Sequence, residues 1–76
     1  MEELTFGQLL VGLNFNPSND PKVEKAKKLC AELADLVYNH YEDSKGLFPE
    51  HIIYSATLTD ILKAQMMSVK LLTLNK

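Results

Sequence analysis

The sequence predicts an all-α protein: a helical hairpin of two long antiparallel helices behind a short N-terminal segment, assembling into a homo-oligomer. Three observations point there. Residues 21–42 and 49–73 each carry apolar side chains at intervals of three and four, the period that lines one face of a helix. Both stretches open on a proline, Pro21 and Pro49, the residue suited to a first helical turn. Between them Glu42 to Phe48 is a polar connection with Gly46 as its breaker.

The chain reads as one domain spanning residues 1–76. Residues 1–13 form an N-terminal segment whose apolar run, Leu4 to Val11, suits a brief helix weakened by Gly7 and Gly12. Asn14 to Asp20 (NFNPSND) is dense in turn formers and reads as a loop. Asp20 then caps a helix that Pro21 begins. Along that helix Val23, Ala26, Cys30, Leu33, Val37 and Tyr41 share one face, on a rod about 30 Å long. The second helix is apolar on two sides. One stripe holds Tyr54, Leu58, Ile61, Leu62, Met66, Val69 and Leu72; Ile53, Ala64, Met67, Leu71 and Leu74 fall nearly opposite. One partner helix covers only one of these stripes, so the other needs a second subunit or the N-terminal segment folded over it.

Size makes the same demand. A chain of 76 residues lies near the lower limit for a self-sufficient core, where disulfides, a metal or oligomerisation usually help. Cys30 is the only cysteine, which excludes an internal disulfide and fits a small core residue in a reducing compartment. No signal peptide and no apolar run near the ~18 residues of a membrane span is apparent, so a soluble, cytoplasmic protein is expected. The Asn16 tripeptide, Asn-Pro-Ser, has proline in the middle and is no glycosylation acceptor. A net charge of −2 argues against general binding to duplex nucleic acid. Any bound anion must be held by a local group of cations.

Such a group opens the first long helix: Lys22, Lys25, Lys27 and Lys28. Lysines are mildly unfavourable at a helix N-terminus, where backbone N–H groups already favour anions. Two readings stand side by side, a solvated face partly paired with Glu24 and Glu32, or a phosphate site. On the helical wheel Lys22 and Lys27 flank the apolar face, from which a lysine can lay its stem on the seam and extend its ammonium to a ligand. Lys25 lies further out and Lys28 points away. Phe15, an aromatic between Asn14 and Asn16, is either a plug over the helix ends or a platform on which a nucleobase stacks. His40 and His51 flank the connection, in no pattern that marks a zinc site. No nucleophile–base arrangement, phosphate-binding glycine loop or paired carboxylates appear, so neither an enzyme nor a cofactor is expected.

The order FGQLLVGLNFNPS, DPKVEKAKKLCAELADLV and ATLTDILKAQMMSVKLL resembles the small phage-encoded anti-CBASS proteins of the second type, whose hairpin also occurs in anti-Thoeris sponges. The resemblance spans roughly Phe6 to Leu72. It implies a helical protein, commonly a homohexamer, that sequesters cyclic dinucleotides in the host cytoplasm without cleaving them and so blocks immune signalling. In that family an aromatic of the N-terminal loop stacks on a base and a lysine early in the first long helix meets a phosphate. Aligned on Glu32-Leu33, the lysine is Lys27; the aromatic falls on Phe15, with Leu13 as a competing alignment. Asn14, Asn16 and Lys22 would complete the site. Some relatives also bind cyclic trinucleotides through the second helix, which corresponds here to Thr57, Thr59 and Lys63, with Lys70 further along; the family's arginine has no counterpart, since the sequence contains none. The competing reading is a small helical adaptor that docks on a host protein through the outer face of its second helix.

Overall fold

The computed structural model describes residues 3–13, 19–44 and 49–74, and the statements of structure below concern these. They form three helices: α1 (Phe6–Val11), α2 (Pro21–Ser44) and α3 (Glu50–Thr73). The described chain is all-helical.

α1 is only six residues long and depends on its two ends. Thr5 accepts from the Gln8 backbone N–H at 3.1 Å, while the Gln8 side-chain oxygen accepts from the Thr5 N–H at 2.9 Å. This reciprocal capping box occupies two of the donors that a helix start leaves unpaired. At the other end Gly12 turns left-handed, φ 63°. That turn lets Leu13 N–H reach the Gln8 carbonyl at 3.0 Å and Gly12 N–H the Leu9 carbonyl at 3.2 Å, the paired bonds of a Schellman closure.

α1 lies directly on the backbone of α2. Gly7 faces Ala31 so closely that no side chain fits between them. Beside this contact Asp35 of α2 accepts two bonds from α1, from Gly7 N–H at 2.6 Å and from the Thr5 hydroxyl at 2.7 Å. Phe6 stacks on Tyr38 with centroids 4.3 Å apart and planes 11° from parallel. A short helix that could not persist alone is thereby held by a carboxylate, a ring pair and one close backbone approach. Bonds to a charged acceptor are worth about 1.5–3 kcal/mol, so Asp35→Ala is expected to lower stability by about 2 kcal/mol. Urea melts read this directly, and an unchanged midpoint would show that the carboxylate contributes nothing to α1 docking.

α2 starts where the Asp-Pro pair places it: Asp20 is buried, and its carboxylate accepts from the Lys22 N–H at 2.8 Å. Its buried positions are Val23, Lys27, Ala31 and Ala34. The small residues there let α1 approach, and they set the rotation of the helix. Leu33, expected on the inward face, is consequently 49% exposed, because the face that meets α1 is the alanine face. Cys30, Val37 and Tyr41 of the expected stripe are half-buried.

α3 begins at Glu50 after Pro49, whose carbonyl accepts from Ile52 and Ile53 N–H at 3.0 and 3.2 Å. It meets α2 through Tyr41 and Tyr54, stacked 4.0 Å apart and 3° from parallel. Of the two expected apolar stripes, the first faces inward: Ile61 is buried, and Tyr54, Leu58, Leu62, Val69 and Leu72 are half-buried. Two residues depart from that pattern. Gln65 is buried on the stripe, one turn past Ile61, whereas Met66 sits at its edge and is exposed. The second stripe faces outward, with Ile53, Met67, Leu71 and Leu74 all exposed. The three helices make a slab of 45 × 30 × 13 Å, one helix layer thick, in which no large side chain among the described residues is fully buried.

Candidate ligand site at the corner of α1 and α2

Lys27 is the most unusual side chain of the described chain. It is only 5% exposed, on the same face of α2 as Val23 and Ala31, and its Nζ donates to the Gly12 carbonyl at 3.0 Å. The wheel had placed Lys27 at the flank of the seam; the structure places it within the buried face. Local sequence explains the position. The left-handed Gly12 ends α1 and turns its carbonyl outward from the helix, and a lysine one turn before Ala31 is the residue within reach. An ammonium against the C-terminal end of a helix also complements the partial negative charge there. Lys27 thus ties the end of α1 to α2, two residues before Asn14.

The other lysines separate by direction. Lys22 and Lys25 are exposed near the start of α2. Lys28 is exposed and pairs with Glu24 at 3.2 Å, one turn earlier on the same helix. Screened by solvent, that pair contributes at most a few tenths of a kcal/mol. Lys25 and Lys28 also border a cleft of about 350 Å³ between α1 and α2, with Gln8, Leu29, Glu32 and Asp35 on its other sides. The phosphate reading had put Lys28 last among the four, so this cleft was not legible from the wheel. Asn14, Phe15 and Asn16 lie outside the described residues.

The suggested second site on α3 is not drawn together by the helix. Thr57 and Thr59 differ by about 200° on an α-helix and so face apart, while Thr59 and Lys63 share a face. Both hydroxyls donate to carbonyls of their own helix, Thr57 to Ile53 at 2.7 Å and Thr59 to Ser55 at 3.0 Å. Lys63 and Lys70 are exposed.

Sequence reasoning missed a cleft between the last turns of α2 and the first turns of α3. It holds about 620 Å³ and is walled by Val37, Tyr41, Ile53 and Tyr54, with His40 and Glu50 at its rim. His40 Nε2 lies 3.8 Å from the Glu50 carboxylate, and the Tyr41 hydroxyl is 3.2 Å from His51 Nδ1. Burial, reinforced by the negative charge of Glu42, pushes the Tyr54 phenol above its usual value. Two tyrosines thirteen positions apart across a predicted turn were the signal that could have marked this cleft.

Comparison with protein-family models, curated proteins and solved structures finds no match. Burial pushes the Cys30 thiol up, which keeps it protonated and unreactive and fits a packing role. Among the described residues no group of three histidines, cysteines or carboxylates could hold a metal, and no helix is long and apolar enough to cross a membrane.

Proposed function

We propose that this protein binds cyclic dinucleotides at the α1–α2 corner and sequesters them intact, as an anti-defence sponge of the anti-CBASS type. The observation that carries the reading is the buried Lys27, whose ammonium stands against Gly12, two positions before Asn14 in the sequence. A cation in a mostly desolvated position binds a phosphate more strongly than one on a solvated face. The exposed lysines at the start of α2 would attract the anion, and the aromatic of the loop would stack on a base. The resemblance assigns the same two positions, Lys27 and Phe15, to those two tasks.

In this reading the protein works as a homo-oligomer of helical hairpins, a hexamer by the resemblance. Its radius of gyration is 13.7 Å, against about 11 Å for an ordinary compact domain of this length. Among the described residues ten large apolar side chains are exposed, and those of α2 and of the outer face of α3 fall in stripes, the form that suits burial against another subunit. A second reading, a helical adaptor on a host protein, draws on the outward face of α3, where Met67, Leu71 and Leu74 lie exposed.

A thermal-shift panel of cyclic di- and trinucleotides separates the two. A ligand at 100-fold over its dissociation constant should stabilise the fold by about 2.7 kcal/mol, and it should be recovered unchanged in mass after incubation. No shift with any member would remove the sponge reading and leave the adaptor. Turnover of the ligand would instead indicate an enzyme. The arrangement of Thr57, Thr59 and Lys63 predicts a smaller response to trinucleotides than to dinucleotides, since one α3 face does not present all three.

A further inference from the structure

We infer that the face of α2 turned away from its alanine side is a two-fold interface, on which a second copy of this chain docks antiparallel with Leu33 on the axis. The inference rests on the oligomeric part of the reading above and is independent of its ligand. It starts from three leucines that the monomer does not use. Leu29, Leu33 and Leu36 are 57, 49 and 67% exposed. Spaced by four and three, they fall within about 60° of one another on the helix, roughly opposite Ala31 and Ala34. A stripe of this spacing is the seam that packs knobs-into-holes against another helix.

The charges at its ends choose the partner and the direction. Lys22 lies two turns before Leu29 and Asp43 two turns after Leu36, both exposed and on the same stripe. Reversal about Leu33 brings Leu29 within one residue of the partner's Leu36, and Lys22 within one residue of the partner's Asp43. The ends of the face are thus complementary in charge across the axis, as an isologous interface requires, while Lys25, on the same stripe, comes near the partner's His40. Parallel pairing would set Lys22 against its own copy and Asp43 against its own copy, and like charges oppose that register. A foreign helix has no reason to match this symmetric spacing; a second copy matches it automatically.

Sedimentation equilibrium at low salt tests the interface. Leu33→Glu places two carboxylates together on the axis, and it should lower the mass at least twofold at concentrations where the native chain is assembled. Lys22→Glu and Asp43→Lys should each weaken association severalfold, and the double variant should recover it. Leu33→Glu with native mass and native helicity would overturn the inference and leave the oligomeric reading standing. A native chain that is monomeric at every concentration would overturn both. Crosslinking covers the case in which Leu33→Glu fails to fold. In a Cys30→Ser background, Leu33→Cys should form a disulfide-linked dimer under mild oxidation. Lys22→Cys should not, because antiparallel pairing holds the two copies of that position about 32 Å apart. Crosslinking through both Lys22→Cys and Leu33→Cys would show a parallel arrangement and reject the inference, as would crosslinking through neither.

Discussion

Replacing Gly7 with alanine is expected to destabilise the protein by about 2–3 kcal/mol, although alanine is the better helix former. Two effects oppose each other at this position. Helix propensity favours alanine by up to about 1 kcal/mol. Packing opposes it, because a Cβ on Gly7 would overlap the Ala31 carbonyl oxygen and lie 2.8 Å from the carbonyl carbon and 3.0 Å from Cα. These are backbone atoms in the middle of α2, so no side-chain rotation relieves the overlap. Overpacking costs about 1–3 kcal/mol and occasionally more, and against rigid backbone it falls at or above the top of that range, which leaves about 2–3 kcal/mol after the propensity gain. The only relief is for α1 to lift from α2, and that movement lengthens both bonds to Asp35 and separates Phe6 from Tyr38. At 4–8 °C per kcal/mol for a domain this small, the midpoint should fall by roughly 10–20 °C. A melting temperature that is unchanged or raised would mean α1 does not sit on α2 at this distance.

The same position shows what a sequence carries and what it does not. Gly7 was expected to weaken a helix, which is its local effect; its close approach to Ala31 is a tertiary fact that no local pattern contains. The helix itself was more legible than the expectation allowed. Thr5-Phe6-Gly7-Gln8 is a capping box and Gly12 a left-handed stop, so both ends of α1 were written in the chain. The Asp20-Pro21 start of α2 was legible for the same reason, since a cap involves neighbours in sequence. The two stripes of α3 were also legible, because a long helix preserves its period whatever it packs against.

The rotation of α2 was harder to read. Leu33 and Lys27 are six residues apart, and hydrophobicity alone puts the leucine inside and the lysine at the edge. The structure does the reverse because α1 approaches too closely for leucine, and the alanines have to face it. Once Ala31 and Ala34 face inward, Lys27 is carried into the buried face and the leucines are carried out. The site and the proposed interface therefore have one cause, the demand for small residues under α1. No periodicity count weighs that demand, since it counts alanine and leucine as equally apolar.

Lys27→Met should separate the structural task of this lysine from its proposed binding task. Methionine keeps most of the apolar stem in its buried place and removes the ammonium. Losing the bond to the Gly12 carbonyl and the ammonium's other contact costs stability, and removing a buried charge returns part of its desolvation penalty, so the two act in opposite directions. The fold is expected to persist, with a midpoint within a few degrees of the native chain. Binding is expected to suffer far more. Loss of a charged hydrogen bond to phosphate costs about 1.5–3 kcal/mol, which is roughly a 10- to 150-fold rise in the dissociation constant of a cyclic dinucleotide by isothermal titration. The salt dependence should flatten at the same time, because one fewer cation meets the ligand. Full affinity in a well-folded Lys27→Met would assign the lysine wholly to closing α1. The anion would then have to be held by Lys25 and Lys28 in the cleft beside Gln8, and Lys25→Met with Lys28→Met would become the pair that abolishes binding. A site built on Lys27 makes the opposite demand: those two exposed lysines tune the rate of capture, and their loss leaves most of the affinity in place.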